Sequence, residues 1–420
     1  MARHTDRGGY EMRIGARNVT AVRLSLAFAA LFLPHAAYAD CPPPPTPPSG
    51  DGFYYCFDGP HIGPQPIVNA DKGPHLVTEV ELNGHKLLAV LDTGAEISVV
   101  DSSVARDIGL KAGRSYRITG SNGKQAPALK APVDRLAIGG FIRRGGVVAI
   151  ADLGPMQQGV PQPFQMVLGA DVLSQVALFV DRDDRILVIL PGNAKGAGSA
   201  MTAPLNIRQP GNIFMTKVSV DGHPLDLRLD TGADDEIALH ETSWAKIVPP
   251  TARSTTIAAA SVAGVWVGPM VRLSDVKIGT QSIGDAIATQ VAGAAADAQA
   301  DGMLGMGILS RYTFFLNPQT GVMALAAPKK SVPPRRETMT GLQGLPTDEG
   351  LVVIHVMARS PAEAAGIKAG ERICTIDGET VRAAWAGTPK NDWMTGPEGK
   401  TVTLGRCAGG SVRLTLRRFY

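Results

Sequence analysis

Leu91-Asp92-Thr93-Gly94-Ala95 is written a second time as Leu229-Asp230-Thr231-Gly232-Ala233. A lone Asp-Thr-Gly is usually an ordinary turn, with Asp in first position because its short carboxylate can bond its own backbone. Here the frame around it is repeated as well. Each copy ends a strand-like run that follows a tight turn: residues 76–82, Asn83-Gly84 and 85–91 in the first, residues 214–220, Asp221-Gly222 and 223–229 in the second. Gly84 and Gly222 are separated by the same interval as Asp92 and Asp230, so a whole structural unit is repeated. In the second return strand Leu225, Leu227 and Leu229 alternate with Asp226 and Arg228, the two-residue period of a half-buried strand.

A second landmark follows in each unit. Val167-Leu168-Gly169-Ala170-Asp171-Val172-Leu173 and Met303-Leu304-Gly305-Met306-Gly307-Ile308-Leu309 each read as an apolar pair, a Gly and a segment able to turn into a helix. Gly169 follows Asp92 at nearly the interval at which Gly305 follows Asp230. Apolar strands come next at 186–190 and 322–325, after turns at 181–184 and at Asn317-Pro318. The expected fold is therefore mainly β: two equivalent lobes, residues 72–192 and 201–328, related by a pseudo-twofold axis.

The rest of the chain frames these lobes. Residues 1–39 read as a secretory signal, with Arg13, Arg17 and Arg23 before an apolar run from 24 to 33 and the small-residue site Ala37-Tyr38-Ala39. Cys41 raises a lipoprotein as the competing reading, but Asp40 stands where a small residue is wanted. The net charge of +3 belongs to this leader, so no basic nucleic-acid surface is expected. The run is too short to span a bilayer, and no transmembrane anchor is expected in the mature chain. Residues 40–71, rich in Pro and Gly, read as an extended spacer or strap. Residues 329–340 read as a linker and 341–420 as a small α+β domain. Four cysteines suit an exported protein; of the three possible connectivities, 41 with 56 and 374 with 407 is the local one.

Lobes facing each other across a pseudo-twofold would bring Asp92 and Asp230 into one site. So close, both cannot ionise cheaply, and one keeps a proton while the other stays charged. The charged one can take a proton from water while the protonated one donates to a carbonyl oxygen, as peptide hydrolysis requires. Thr93 and Thr231 offer hydroxyls to bond backbone across the pair, and Gly94 and Gly232 let the main chain pass close to the carboxylates. The bland alternative is two unrelated Asx turns or caps.

These motifs resemble the bacterial retropepsin-like aspartic proteases, two such units fused in one chain in a pepsin-like bilobal arrangement, with a PDZ-like domain behind them. The resemblance covers about residues 72–328 and 340–420. It implies closed β-lobes, one Asp from each, and hairpin flaps over an extended peptide, placed around Gly120-Ser121-Asn122-Gly123 and Ala263-Gly264-Val265-Trp266. The substrate-binding set it suggests is Ala95, Ala233, Asp234, Gly123, Gly264 and Trp266. Asp234-Asp235 resembles the retroviral form, in which acids there hold substrate backbone, whereas the first lobe departs from it with Glu96-Ile97. In pepsin-like relatives a hydroxyl residue often stands where Ala95 and Ala233 do and can lower the dyad pKa. Ala cannot, so activity is expected at weakly acidic to neutral pH.

In the C-terminal part, Gly350-Leu351-Val352-Val353, Ser360-Pro361-Ala362, Ala365-Gly366-Ile367 and Gly370-Glu371-Arg372-Ile373 are similar to the PDZ domains of bacterial exported proteases. Such a domain would add a peptide end or partner segment as a strand beside Leu351, Val352 and Val353. No His-Glu-x-x-His, Gly-x-Ser-x-Gly or phosphate loop occurs, and the eight His are scattered, so no cofactor or metal is expected. The leading expectation is an aspartic endopeptidase exported to the bacterial periplasm and acting on peptide or protein substrates. The competing one is a scaffold of the cell envelope that uses protease-like lobes only to hold partners. A homodimer pairing Asp92 with Asp92 is a third arrangement.

Overall fold

The computed structural model describes residues 41–420 except 45, 47, 60–61, 69, 71–72, 121–122, 158–161, 196–200, 210, 262–263, 292–299, 328–336 and 387. The expected leader and most of the expected linker lie outside the described residues. The two repeated hairpins form as the alternation requires. Val77–Leu82 pairs with His85–Leu91, and Ile213–Val220 with His223–Asp230. Both turns carry two successive left-handed residues, Asn83 and Gly84 (φ 48° and 86°) and Asp221 and Gly222 (φ 47° and 81°). This is the conformation that suits the right-handed twist of a two-residue hairpin, and Asn, Asp and Gly tolerate it best.

The second landmark locks onto the first in both lobes. Met166–Leu168 lies parallel to the Asp92 strand, with Leu168 opposite Leu91, and Gly302–Gly305 lies parallel to the Asp230 strand, with Gly305 opposite Asp230. The helical turns Ala170–Leu173 and Met306–Leu309 follow, and their first amides donate to Ala95 O at 2.7 Å and Ala233 O at 2.8 Å. Gly169 and Gly305 are needed because a Cβ on either would overlap the backbone of residues 95–97 or 233–235. In the first lobe the Asp171 carboxylate also accepts from Ser98 N and Oγ (2.8 and 2.7 Å) and pairs with the fully buried Arg143 at 2.7 Å.

The strands after these landmarks join the two lobes to each other. Val176–Asp181 and Ile186–Pro191 from the first unit join Thr313–Asn317, Val322–Ala326 and Met201–Arg208 from the second in a shared sheet. At its centre Leu178, Phe179 and Val180 pair antiparallel with Leu316, Phe315 and Phe314, the strand pair that the pseudo-twofold axis relates. One apolar core, including Leu91, Leu178, Leu229 and Leu316, therefore runs through both lobes.

The described part of the expected spacer contributes two strands. Phe53–Phe57 adds to the first lobe beside Phe141–Gly145, and Gln65–Pro66 adds to the edge of the shared sheet beside Ile186 and Leu187. Cys41 is disulfide-bonded to Cys56, and Tyr55 and Phe57 pack on Phe141 at centroid distances of 5.4 and 5.5 Å. The Pro-rich composition hid an aromatic pentapeptide with high strand propensity.

The C-terminal unit has its own core, which includes Leu351, Ile373, Trp385 and Leu404, and its second disulfide joins Cys374 to Cys407. Its helix Pro361–Ala364 is capped by Ser360 Oγ, which accepts from Glu363 N at 3.1 Å. The expected peptide edge at Leu351, Val352 and Val353 is not an edge. Gly350–Val356 is paired with Leu342–Thr347 on one side and with Arg372–Ile376 on the other, and Val353 also exchanges bonds with Glu371 O and Gly370 N. Alternation marks a strand without giving its place in the sheet, and the outer strand here is Leu342–Thr347. Among the described residues no helix is long and apolar enough to cross a membrane.

Candidate active site

Asp92 follows the first return strand and Asp230 ends the second, and the facing lobes bring each carboxyl against the glycine of the opposing loop in one chain. Local amides orient both: Gly94 N and Ala95 N donate to Asp92 Oδ1 at 2.7 and 3.0 Å, and Gly232 N donates to Asp230 Oδ1 at 2.9 Å. A Cβ on Gly94 would overlap the Asp230 carboxyl, and one on Gly232 would overlap that of Asp92. The glycines are thus what allows each loop to pass beside the opposing acid.

Behind the acids the two threonines interlock. Thr93 N donates to Thr231 Oγ1 at 3.0 Å, and Thr231 N donates to Thr93 Oγ1 at 3.1 Å. Each hydroxyl then donates onward across the axis, Thr93 to Leu229 O at 2.7 Å and Thr231 to Leu91 O at 2.8 Å. Both threonines are fully buried, so these bonds satisfy groups that water cannot reach.

Burial, reinforced by the charge of Asp230, pushes the Asp92 carboxyl up to about 8 against the opposing pull of the Arg228 guanidinium. A neutral carboxylic acid beside a second carboxyl, with amides aimed at its oxygens, is an acid/base pair set for proton transfer. Ala95 and Ala233 add no side-chain donor, as expected from their identity.

The pair opens into a cleft of about 800 Å³. Its roof is two hairpins, Ser115–Thr119 with Gln125–Pro132 from the first lobe and Ser254–Ser261 with Gly264–Ile278 from the second. These are the expected flaps, although residues 121–122 and 262–263 at their tips lie outside the described residues. Ala95, Ala233, Asp234 and Trp266 line the cleft, whereas Gly123 and Gly264 do not and instead turn the hairpins with φ of 74° and 102°. Asp235 also lines it; burial lifts its carboxyl to about 6, although Thr289 Oγ1 donates to it at 2.8 Å.

Three features of the cleft are not part of the motif. His75 Nε2 lies 3.0 Å from Gly232 O and 3.1 Å from Asp234 Oδ1, bringing the entry to the first lobe against the second motif. Arg228 lines the wall beside the dyad and donates to Gly94 O. Its place was available in the sequence, because a two-residue period puts it on the same strand face as Asp230. The third is the C-terminal unit, which lies on the second flap and contributes Gln343 and Ile354 to the cleft. Ala258 N donates to Gln343 Oε1 at 2.7 Å and Gln343 Nε2 donates to Ala258 O at 3.0 Å. Thr255 Oγ1 donates to Ala358 O at 2.6 Å, and Met270 packs with Met357 and Phe419.

Comparison with known families agrees with this anatomy. Residues 78–172 and 216–308 each match the aspartyl protease family model, and residues 334–405 match the PDZ domain model. No curated protein matches the chain. Two aspartyl-protease lobes, each supplying one Asp-Thr-Gly loop to a common cleft, are followed in this chain by a PDZ domain that rests on the second flap.

Proposed function

We propose that the chain is an exported aspartic endopeptidase in which Asp92 and Asp230 form an intrachain catalytic dyad. The observation that carries this reading is the close approach of each Asp-Thr-Gly loop to the opposing carboxyl beneath two flaps, with Asp92 held neutral by burial and by its partner. Asp92 donates its proton to the carbonyl oxygen of the scissile peptide while Asp230 takes a proton from the attacking water; Asp230 then passes that proton to the leaving nitrogen, Asp92 recovers its own from the hydroxyl of the tetrahedral centre, and the C–N bond breaks to give acid and amine. Thr93, Thr231, Gly94 and Gly232 hold the acids at this separation. Export is supported by the basic, apolar and small-residue order of the leader and by the two disulfides, and the periplasm of a bacterium is the compartment that fits both. The PDZ domain would capture peptide or regulate the flap on which it rests.

The test is to make Asp92→Asn and Asp230→Asn separately and assay each against a peptide library. Loss of cleavage in both is expected. Retention of cleavage in either variant rejects a mixed dyad, and absence of cleavage by the unaltered protein, with partner binding unchanged in the variants, favours a scaffold.

A further inference from the structure

The pseudo-twofold axis makes the two lobes equivalent in backbone, but the walls that flank the dyad differ in chemistry. Val90 and Arg228 occupy equivalent positions in the repeat, each two places before its catalytic Asp and on the same strand face. Around Val90 the wall is mainly apolar: Val99, Leu153, Phe164 and Val167 pack there, with Tyr116 and Ile118 of the first flap above, and Glu96 and Arg117 lie at its margin. Around Arg228 the wall is formed by Thr289, Met303, His240 and Trp266, and the guanidinium is its fixed positive charge.

That guanidinium pulls on Asp92, yet its hydrogen-bonding capacity is not filled by the protein. Arg228 donates to Gly94 O, but its buried Nε has no acceptor, and no carboxylate among the described residues forms an ion pair with it. The acids nearest by chain and cleft are otherwise engaged: Asp235 accepts from Thr289, Asp234 lies against His75, and Glu236 pairs with Arg311. Glu96 also lines the cleft but forms no ion pair with Arg228, and Asp92 and Asp230 face the reacting bond. A buried donor without a partner is unfavourable until something accepts from it, and Arg presents paired N–H groups that match a carboxylate.

We infer that the two subsites beside the scissile bond have opposite tastes, the Val90 side taking a large apolar side chain and the Arg228 side taking Asp or Glu. Arg228 is then the specificity-determining residue of the second lobe. The substrate class is a peptide in which an apolar and an acidic residue flank the cleaved bond. The inference rests on the endopeptidase reading above and adds the side-chain chemistry of its substrate.

The experiment compares kcat/KM for matched peptides that differ only at the two central residues: Phe-Glu, Glu-Phe, Phe-Gln, Gln-Phe and Phe-Phe. In one of the two orders the Glu peptide is expected to be cleaved at least about tenfold faster than its Gln counterpart, the factor that about 1.4 kcal/mol of selective binding gives. In Arg228→Leu that Glu-to-Gln ratio is expected to fall to about one, and in Arg228→Lys to recover in part. Cleavage of Phe-Phe with no Glu preference in either order overturns this inference and leaves the peptidase standing. A Glu preference that survives in Arg228→Leu also overturns it. If no peptide is cleaved, the endopeptidase reading falls, and this one with it. The ratio in the unaltered protein is informative even if a variant fails to fold.

Discussion

Thr93 and Thr231 exchange backbone amide to hydroxyl bonds across the pseudo-twofold axis, at 3.0 and 3.1 Å, and each hydroxyl donates in turn to the strand that carries the other lobe's Asp. The dyad separation is therefore set by a closed ring of four hydrogen bonds rather than by the carboxylates, which repel when both are charged. Replacing Thr93 or Thr231 with Val keeps the shape, removes two bonds and strands a buried amide. A loss of about 1–3 kcal/mol in unfolding free energy is expected for each, from the usual penalty of an unsatisfied buried group. Urea denaturation measures it, and cleavage should fall in both variants because the acids lose their fixed spacing.

Gly94→Ala and Gly232→Ala test the close approach itself. A methyl group at either place would overlap the opposing carboxyl, so the loops must part. Both variants should lose cleavage while keeping the circular dichroism of the parent, since the overlap lies in the cleft rather than in the shared core.

Titration of the dyad has a defined direction. Asp92 is raised to about 8, mainly by burial and then by Asp230. The monoprotonated pair that the proposed mechanism needs thus persists to neutral pH, and kcat/KM should fall on the alkaline side as pH passes about 8. A profile peaking near pH 2 to 3, below ordinary carboxyl pKa values, would contradict this. Stability follows the same sign. Because the folded value lies above the unfolded one, the group's favourable contribution is complete below pH 3.8 and is lost as pH rises toward about 8. Asp92→Asn, which cannot ionise, should therefore gain Tm relative to the parent as pH is raised from about 4 to about 8.

The PDZ domain should steady the second flap. Gln343→Ala removes both bonds to Ala258, and amide exchange across Ser254–Ser261 is expected to quicken with little change in Ser115–Thr119, the equivalent strand of the first flap. Equal protection in parent and variant would show that the flap is steadied by other contacts.

In the first lobe Arg143 is 1% exposed and is neutralised by Asp171. Asp171→Ala should destabilise by about 3–5 kcal/mol, because it leaves a buried charge without its partner. Arg143→Met together with Asp171→Ala should recover part of that loss, as a double-mutant cycle can read.

The repeated Asp-Thr-Gly-Ala, its hairpin and the apolar-apolar-Gly segment identified two lobes, both acids and their supporting residues, because these depend on local turn chemistry and on a period of two. The PDZ pattern was legible for the same reason. Sheet order was not: Gly350–Val356 reads as a strand from its alternation, but only the assembled sheet shows that both its edges are taken. Nor could composition reveal that Phe53–Phe57 extends the first lobe's sheet at its edge, since the surrounding prolines dominate its average. The pairing of Asp92 with Asp230, the placement of Arg228 against Gly94 and the seat of the PDZ domain on the second flap are contacts between segments far apart in the chain. Local sequence specifies what each segment can form; which partners meet is decided when the shared apolar core is buried and the lobes close over it.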